Sequence, residues 1–428
     1  MQIINQLINI KNNYHNLAII TLFTFLPISF IVGNAAINFN ILFIDLLFLL
    51  YCIKSNFWGW IKSKTFLFLI TIYIFLILNS LYSFYFIIED ENDGLIRSLL
   101  FIKFILLVFS FSKLLENEKV FKIVQKNWLV ISLFVIFDIF YEKYFGKNLF
   151  GYVSPTSERV ISFFKDEMVV GGYILCFGFS SMTYFLNENN NKKKNFFLII
   201  IFLIIPIAIF LTGERSNFIK SVLMFFILLF FLKDKKFFFS YKYLASIFLI
   251  IISTFFFFSE NIKNRYYLFF ERIIIVDEKK NILDKFENIR YVAHFETALK
   301  IFKNYPISGV GNKNYRKECS REIYFDKNSK FSTQRCSTHP HQIHFEILSE
   351  QGIVGYLLII YFIGSFLLKN IKIFIKSKNI NHLNNISYIS FFLLPLLPGA
   401  GIFSTFNGSL FWVIFSITYL NLKNSNSN

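Results

Sequence analysis

Again and again this chain runs for about twenty residues with scarcely a charge, and that recurrence limits what it can become. A hydrocarbon core about 30 Å thick is crossed by about 20 helical residues. Runs of that kind centre on residues 17–37, 38–53, 65–84, 95–114, 128–145, 168–186, 196–212, 216–232, 241–258, 352–369, 385–403 and 407–421. The pattern predicts an all-α, polytopic integral membrane protein of about twelve transmembrane helices with one large, partly helical loop outside the membrane. Hydrophobic residues make up 55% of the 428 positions and charged ones 17%, against about 45–50% and 25% in soluble domains. A water-soluble monomer, a disordered chain and a disulfide scaffold are thereby excluded. No cleavage site follows the first run, so Leu17 to Ile37, with Pro27 inside it, reads as the first span rather than a leader.

The net charge of +17 raises the question of nucleic acid, and the placement of the charges answers against it. A nucleic-acid binder gathers Lys and Arg on one face. Here lysines come in short bursts between apolar runs, as in Lys192-Lys193-Lys194 and Lys233-Asp234-Lys235-Lys236, the distribution of cytoplasmic loops. Loops 54–64, 115–127, 187–195, 233–240 and 370–384 carry the lysines, whereas Glu89-Asp90-Glu91-Asn92-Asp93 is purely acidic. Both termini are therefore expected in the cytoplasm. Cys52 and Cys176 lie in apolar runs and read as buried thiols.

Three regions follow: residues 1–258 with nine spans, a loop domain at 259–345, and residues 346–428 with three spans. The loop is far longer than an ordinary helix connection, which marks it as functional or disordered, and its Tyr, Phe and Ile content lets it fold. The charge bias puts it on the outer, non-cytoplasmic side. Cys319 and Cys336 both fall within it, where disulfides are permitted; a bridge and two free thiols explain the sequence equally well. Asn288 to Tyr305 reads as an amphipathic helix, capped by Asn288 and closed by Pro306. Val292, Phe295, Leu299 and Phe302 would form its apolar face, resting on the membrane or the span tops, with Arg290, His294 and Thr297 opposite. Gly309-Val310-Gly311 is a turn without the context of a nucleotide loop.

Chemistry concentrates in three places. In Thr338-His339-Pro340-His341-Gln342, Pro340 suits the first position of a helix. That puts His341 in the first turn, at the positive end of the dipole, on one face with Leu348, Gly352 and Gly355. An ordinary juxtamembrane helix start is the plainer reading. His339, His341 and His344 lack the carboxylate or cysteine spacing of a metal site, so no metal is expected. Second, Thr212-Gly213-Glu214-Arg215-Ser216 is squeezed between two spans, where a charge is costly unless paired or functional. Arg215 either pairs with Glu214 or snorkels to the outer interface, or it binds something. Third come Arg290 and, more weakly, Arg159, for which a solvated surface position is the plainer reading. Together these residues suggest anion chemistry at the outer membrane face. Arginine forks match phosphate oxygens, and a histidine can take a proton from a hydroxyl. Transfer of a group from a lipid diphosphate fits both.

His341-Gln342, nine residues, then Gly352-Ile353-Val354-Gly355 resembles the motif of the bacterial O-antigen ligases. Arg290, the amphipathic stretch, Tyr305-Pro306-Ile307-Ser308-Gly309-Val310-Gly311, and the Arg215 turn are similar to that family's surrounding segments. The superfamily also holds O-antigen polymerases and protein O-oligosaccharyltransferases. The resemblance implies a metal-independent glycosyltransferase of lipopolysaccharide biosynthesis in the bacterial inner membrane, active at the periplasmic face without a cofactor. The implied donor is a glycan on undecaprenyl diphosphate, and the acceptor is lipid A-core or, in a polymerase, a second lipid-linked glycan; membrane lipids are the surroundings and nucleic acid has no part. His341 would activate the acceptor hydroxyl, Arg215 and Arg290 would hold the diphosphate with Arg159 as helper, and Gln342, Gly352 and Gly355 would serve structure. A transporter or flippase is the alternative of a different class. Against it, Asp45, Lys103 and Asp138 are the main mid-span charges, and polar complexity gathers in the outer loop. A straight helix over 340–369 would lift His341 about 16 Å above Gly352, at roughly 1.5 Å per residue, unless it kinks near Gly352.

Overall fold

The computed structural model describes residues 2–87, 93–165, 168–188, 192–232, 241–274, 290–325, 327, 331–395, 397–399 and 401–427. The acidic run at 89–92, the Lys233 burst and the expected Asn288 cap lie outside the described residues, as do the side chains of Lys192, Lys193, Lys194 and Arg290.

The described residues are helical, with no strand among them. The first half comprises α1 (Gln2–Val32), α2 (Asn34–Ser55), α3 (Lys64–Phe86), α4 (Asp93–Leu99), α5 (Ile102–Leu114), α6 (Glu118–Phe145), α7 (Val170–Tyr173) and α8 (Phe179–Glu188). Then come α9 (Lys192–Leu211), α10 (Arg215–Leu232), α11 (Tyr241–Phe258), α12 (Glu260–Ile274), α13 (Arg290–Asn304), α14 (Tyr315–Glu318), α15 (Ile343–Ser377), α16 (Ile380–Phe392) and α17 (Thr405–Ser427). Among the described residues seven helical stretches are long and apolar enough to cross a membrane, and Phe196–Leu211 and Tyr243–Thr254 are shorter apolar helices. Outward-facing apolar side chains such as Phe86, 74% exposed, are what a lipid-facing surface requires. Buried aromatic side chains fill the interior, Phe23, Trp128 and Phe177 among them.

Local chemistry explains where helices start and stop. Ser63 caps α3 by accepting from Phe66 N–H at 3.2 Å, and Asn117 caps α6 by accepting from Lys119 N–H at 3.0 Å. Three expected spans are less regular than their apolar runs. The run at 95–114 is two helices meeting at Leu100-Phe101. The run at 168–186 contains a π turn at Ile174–Gly178, closed by Phe179 N–H donating to the Ile174 carbonyl. The run at 385–403 stops being helical at Phe392, and Leu397, Pro398 and Gly399 re-enter the interior.

The element that shapes the site is α15, because it is broken. Gly352 has φ 62° and ψ −169°, a conformation essentially restricted to glycine. Breaking a helix orphans carbonyls on one side and amides on the other, and where they are buried both need partners. The loop after α13 supplies them. Val310 N–H donates to Ser349 O at 3.0 Å and Gly311 N–H to Glu350 O at 2.8 Å. In return Ile353 N–H donates to Pro306 O at 2.8 Å and Val354 N–H to Ile307 O at 3.3 Å. Asn79 of α3 adds a bond to Glu350 O at 3.0 Å, and Ser83 one to Val310 O at 2.5 Å. Gly309, at φ 67°, lies so close that a Cβ would sit 2.6 Å from Gln351 N. Gly355 lets Phe75 of α3 approach, where a Cβ would come within 2.6 Å of the ring.

The segment between α12 and α15 packs as its own small cluster around Ala298, Ile301, Val310, Tyr315 and Tyr324. Cys319 and Cys336 are joined in a disulfide with their Cα atoms 5.4 Å apart, while Cys52 and Cys176 are buried free thiols. Helix α13 forms as expected but turns a different face inward. Ala293, His294, Thr297, Ala298 and Ile301 are buried and Leu299 is exposed, because the loop cluster, rather than lipid, covers it.

Candidate functional site

Arg215 opens α10 directly after a tight turn. Gly213 makes that turn possible: it has φ 72°, and a Cβ there would sit 2.6 Å from the Glu158 carbonyl. Val160 N–H donates to Thr212 O at 3.3 Å, which lays the 154–160 loop, and Arg159 with it, over the turn. The Glu214 carboxylate accepts from Gly171 N–H at 2.7 Å and from Asn217 Nδ2 at 2.6 Å. It is therefore engaged by backbone and amide donors rather than serving simply as a partner for Arg215.

Helix α12 folds back onto the same turn. Tyr266 stacks on Phe210 with ring centroids 4.7 Å apart and donates to its carbonyl at 3.0 Å. That contact sets Arg265, whose Nε donates to Gly213 O at 3.1 Å while its guanidinium lies 3.5 Å from Glu158. Arg159, Arg215 and Arg265 all line one cavity of about 420 Å³. Burial, then the charge of Arg265, lowers the Arg159 pKa from its ordinary value. Guanidinium groups held this close repel one another until an anion sits among them.

The histidine segment closes the other side. His341 does not lie in the first turn of the helix, as the position of Pro340 suggests. Gln342 is the cap, accepting from His344 N–H at 2.7 Å and Phe345 N–H at 3.1 Å, and α15 begins at Ile343. His341 precedes the cap in left-handed conformation, φ 57°, and its carbonyl accepts from Gly399 N–H at 2.7 Å. The reversal turns its ring toward His339, 4.4 Å between centroids, and toward His294 and Tyr291, at 5.2 and 5.3 Å. His294 is fixed from behind, its Nδ1 lying 2.8 Å from the Arg335 carbonyl. His339 shares the cavity wall with His341. Burial, then the Lys313 charge, pulls its pKa down to about 4. His344 turns away, bonded to Tyr356 at 3.1 Å and Leu393 O at 2.8 Å. Among the described residues no group of three or more His, Cys, Asp and Glu is placed to hold a metal ion.

The fold thus brings Arg159, Arg215 and His341 together and adds Arg265, Lys220, His339 and Tyr291. Arg290 opens α13, next to Tyr291 on the cavity wall, but its side chain lies outside the described residues. Gln342 caps, Gly352 breaks and Gly355 packs. A larger cavity, about 570 Å³ near Glu116, Asn381 and His382, shares no lining residue with this one, so size alone does not select the site. Asp45, Lys103 and Asp138 are bonded to Ser110 at 3.1 Å, Asn38 at 2.5 Å and Ser162 at 2.6 Å within the helix bundle, away from the cavity.

No curated protein matches the chain. Residues 199–360 match the family model described as O-antigen ligase. The matched stretch runs from α9 into α15 and contains Arg215, Arg265, Arg290, His341 and both motif glycines. Several apolar helices, together with this match, describe a multi-pass membrane protein. Over residues 199–360 of its 428, the chain is therefore similar to the O-antigen ligase family.

Proposed function

We propose that this protein is an O-antigen ligase. It moves a glycan from undecaprenyl diphosphate to a sugar hydroxyl of lipid A-core at the periplasmic face of the inner membrane, with both termini in the cytoplasm. The observation that carries the reading is the convergence of Arg159, Arg215 and Arg265 on the cavity that His341 also lines. Three guanidinium groups suit the two phosphates of the donor, with Arg290 of the neighbouring helix start as a further ligand. His341 takes the proton of the acceptor hydroxyl as its oxygen bonds to the anomeric carbon. The bond from that carbon to the diphosphate breaks, its electron pair stays on the departing phosphate, and the arginines balance the charge that develops there. Attack opposite the leaving group inverts the anomeric centre. No metal takes part.

Gln342 and Gly399 hold the base by its flanks, the first as helix cap and the second through the His341 carbonyl. The break at Gly352 supports the position of the base, since it lets the first half of α15 leave the line of the span. The test uses purified protein in lipid discs with lipid-linked glycan and lipid A-core. Arg215→Ala and His341→Ala should each lose at least about a hundredfold in transfer, the effect of removing one preorganised charge donor at about 3–4 kcal/mol. A variant that transfers at the wild-type rate removes its residue from the mechanism.

A further inference from the structure

Lys220 is a cation inside a membrane-crossing helix, and the arginine cluster does not explain it. It lies on α10, one stripe with Asn217 and Met224, and is only 9% exposed. Among the described residues it forms no salt bridge; its ammonium lies 5.4 Å over the Phe392 ring. The carboxylate whose field reaches it, Glu214, is bonded to Gly171 and Asn217 at 2.7 and 2.6 Å. A charge at membrane depth is costly unless something pairs with it, and its presence marks a functional position. The small exposed part of Lys220 faces the cavity that Arg159, Arg215 and Arg265 line.

The cavity wall changes character along α10. Arg215, Ser216 and Asn217 stand at the loop end, while Ile219, Lys220 and Met224 lie further along the span. The four cations that line the cavity, Arg159, Arg215, Arg265 and Lys220, outnumber the carboxylates of Glu214 and Glu158, a positive surplus suited to an anionic diphosphate. An ammonium placed below the guanidinium groups, beside apolar walls, fits an anionic amphiphile whose chain leaves into the membrane.

We propose that Lys220 is a further cationic ligand of the lipid diphosphate, holding the phosphate nearest the prenyl chain. This rests on the donor assigned above. Because the ammonium is buried without a salt bridge, the position is one where binding is favoured at the expense of the unliganded fold. That gives the proposal a signature which a structural lysine lacks.

The experiment follows thermal unfolding of the full-length protein in detergent, with farnesyl diphosphate, farnesyl monophosphate or inorganic diphosphate as probe. Lys220→Met should unfold at the same or a higher temperature without ligand, and bind both diphosphates at least tenfold more weakly. Its affinity for the monophosphate, whose single phosphate is the one nearest the prenyl chain, should fall by a comparable factor. Lys220→Arg should keep farnesyl diphosphate affinity within threefold. Unchanged diphosphate affinity in Lys220→Met overturns the proposal. So does a lowered unfolding temperature with affinity that Lys220→Arg does not restore, and so does a loss for farnesyl diphosphate that inorganic diphosphate does not share. If wild type binds farnesyl diphosphate and only Arg215→Ala weakens it, the Lys220 assignment falls and the donor reading stands. If wild type binds neither diphosphate, both fall.

Discussion

Replacing Gly352 with alanine tests the joint on which the site is mounted. At φ 62° and ψ −169° an alanine is strained by about 1–3 kcal/mol. Its Cβ would also sit 2.6 Å from Ser308 N, against backbone that has no side-chain freedom to give. Moving the loop away forfeits the Ile353–Pro306 and Val354–Ile307 bonds of 2.8 and 3.3 Å, each worth about 1 kcal/mol net and more if its buried amide is left unpaired. The combined effect is about 3–5 kcal/mol. That is enough to undock the loop from α15, yet within the about 5–15 kcal/mol that holds a fold together. The half-helix capped by Gln342 would then shift, and a displacement of about 1 Å at a reacting group can cost about a hundredfold in rate. Gly352→Ala should therefore stay in the membrane, unfold at a lower temperature and transfer glycan about a hundredfold more slowly. Gly364→Ala is the control on the same helix, since a Cβ there meets nothing within 4 Å. A Gly352→Ala protein indistinguishable from Gly364→Ala in both assays would refute the role of the break.

The segment between α12 and α15 offers three further tests. Cys319→Ser opens a bridge of sequence separation 17; a loop of that length is worth about 3 kcal/mol, so its unfolding midpoint should fall, and reductant should lower wild type to match. An unchanged midpoint in both would count against the bridge. Lys313 and Glu346 form a buried ion pair, and although burial opposes the ammonium, Glu346 and Glu350 outweigh it and raise the Lys313 pKa. Lys313→Met should cost about 3–5 kcal/mol by stranding Glu346, and Lys313→Met with Glu346→Leu should recover much of the loss; equal loss in single and double variants would contradict the pairing. His339 has a pKa of about 4 against 6.5 unperturbed, so over that window the unfolded chain binds more protons than the folded one. Stability should fall as pH drops from 6.5 to 4 and level off below it, and His339→Gln should flatten the slope; an equal slope in both proteins would place the titration elsewhere.

What could be read from residues alone divides along physical lines. Long apolar runs locate helices because nothing else satisfies a backbone in lipid, but hydropathy does not register the π turn at Ile174 or the halt at Phe392. The broken helix shows the same limit. Apolar residues continue on both sides of Gly352, so the sequence leaves a straight helix and a kink near Gly352 both open, and only the loop at Pro306–Gly311 reveals why φ must be positive. His341 was legible through its spacing, yet its place before the cap depends on Gln342 outcompeting Pro340 as the start of the helix. Arg265 was missed because, within Glu260–Ile274, it reads as one more surface charge until Tyr266 stacks on Phe210 and folds it over the turn. Lys220 carried the one available signal, a charge within an apolar run. The inward face of α13 was misread because His294 and Thr297, polar by type, are buried against Arg335 and the loop cluster.

The most direct measurement is a lipopolysaccharide gel from cells lacking this protein, probed in parallel for glycan on undecaprenyl diphosphate. Ligation predicts a bare lipid A-core with long glycan retained on undecaprenyl. A core carrying a single repeat unit would contradict ligation in favour of polymerisation, and an unchanged ladder would contradict both.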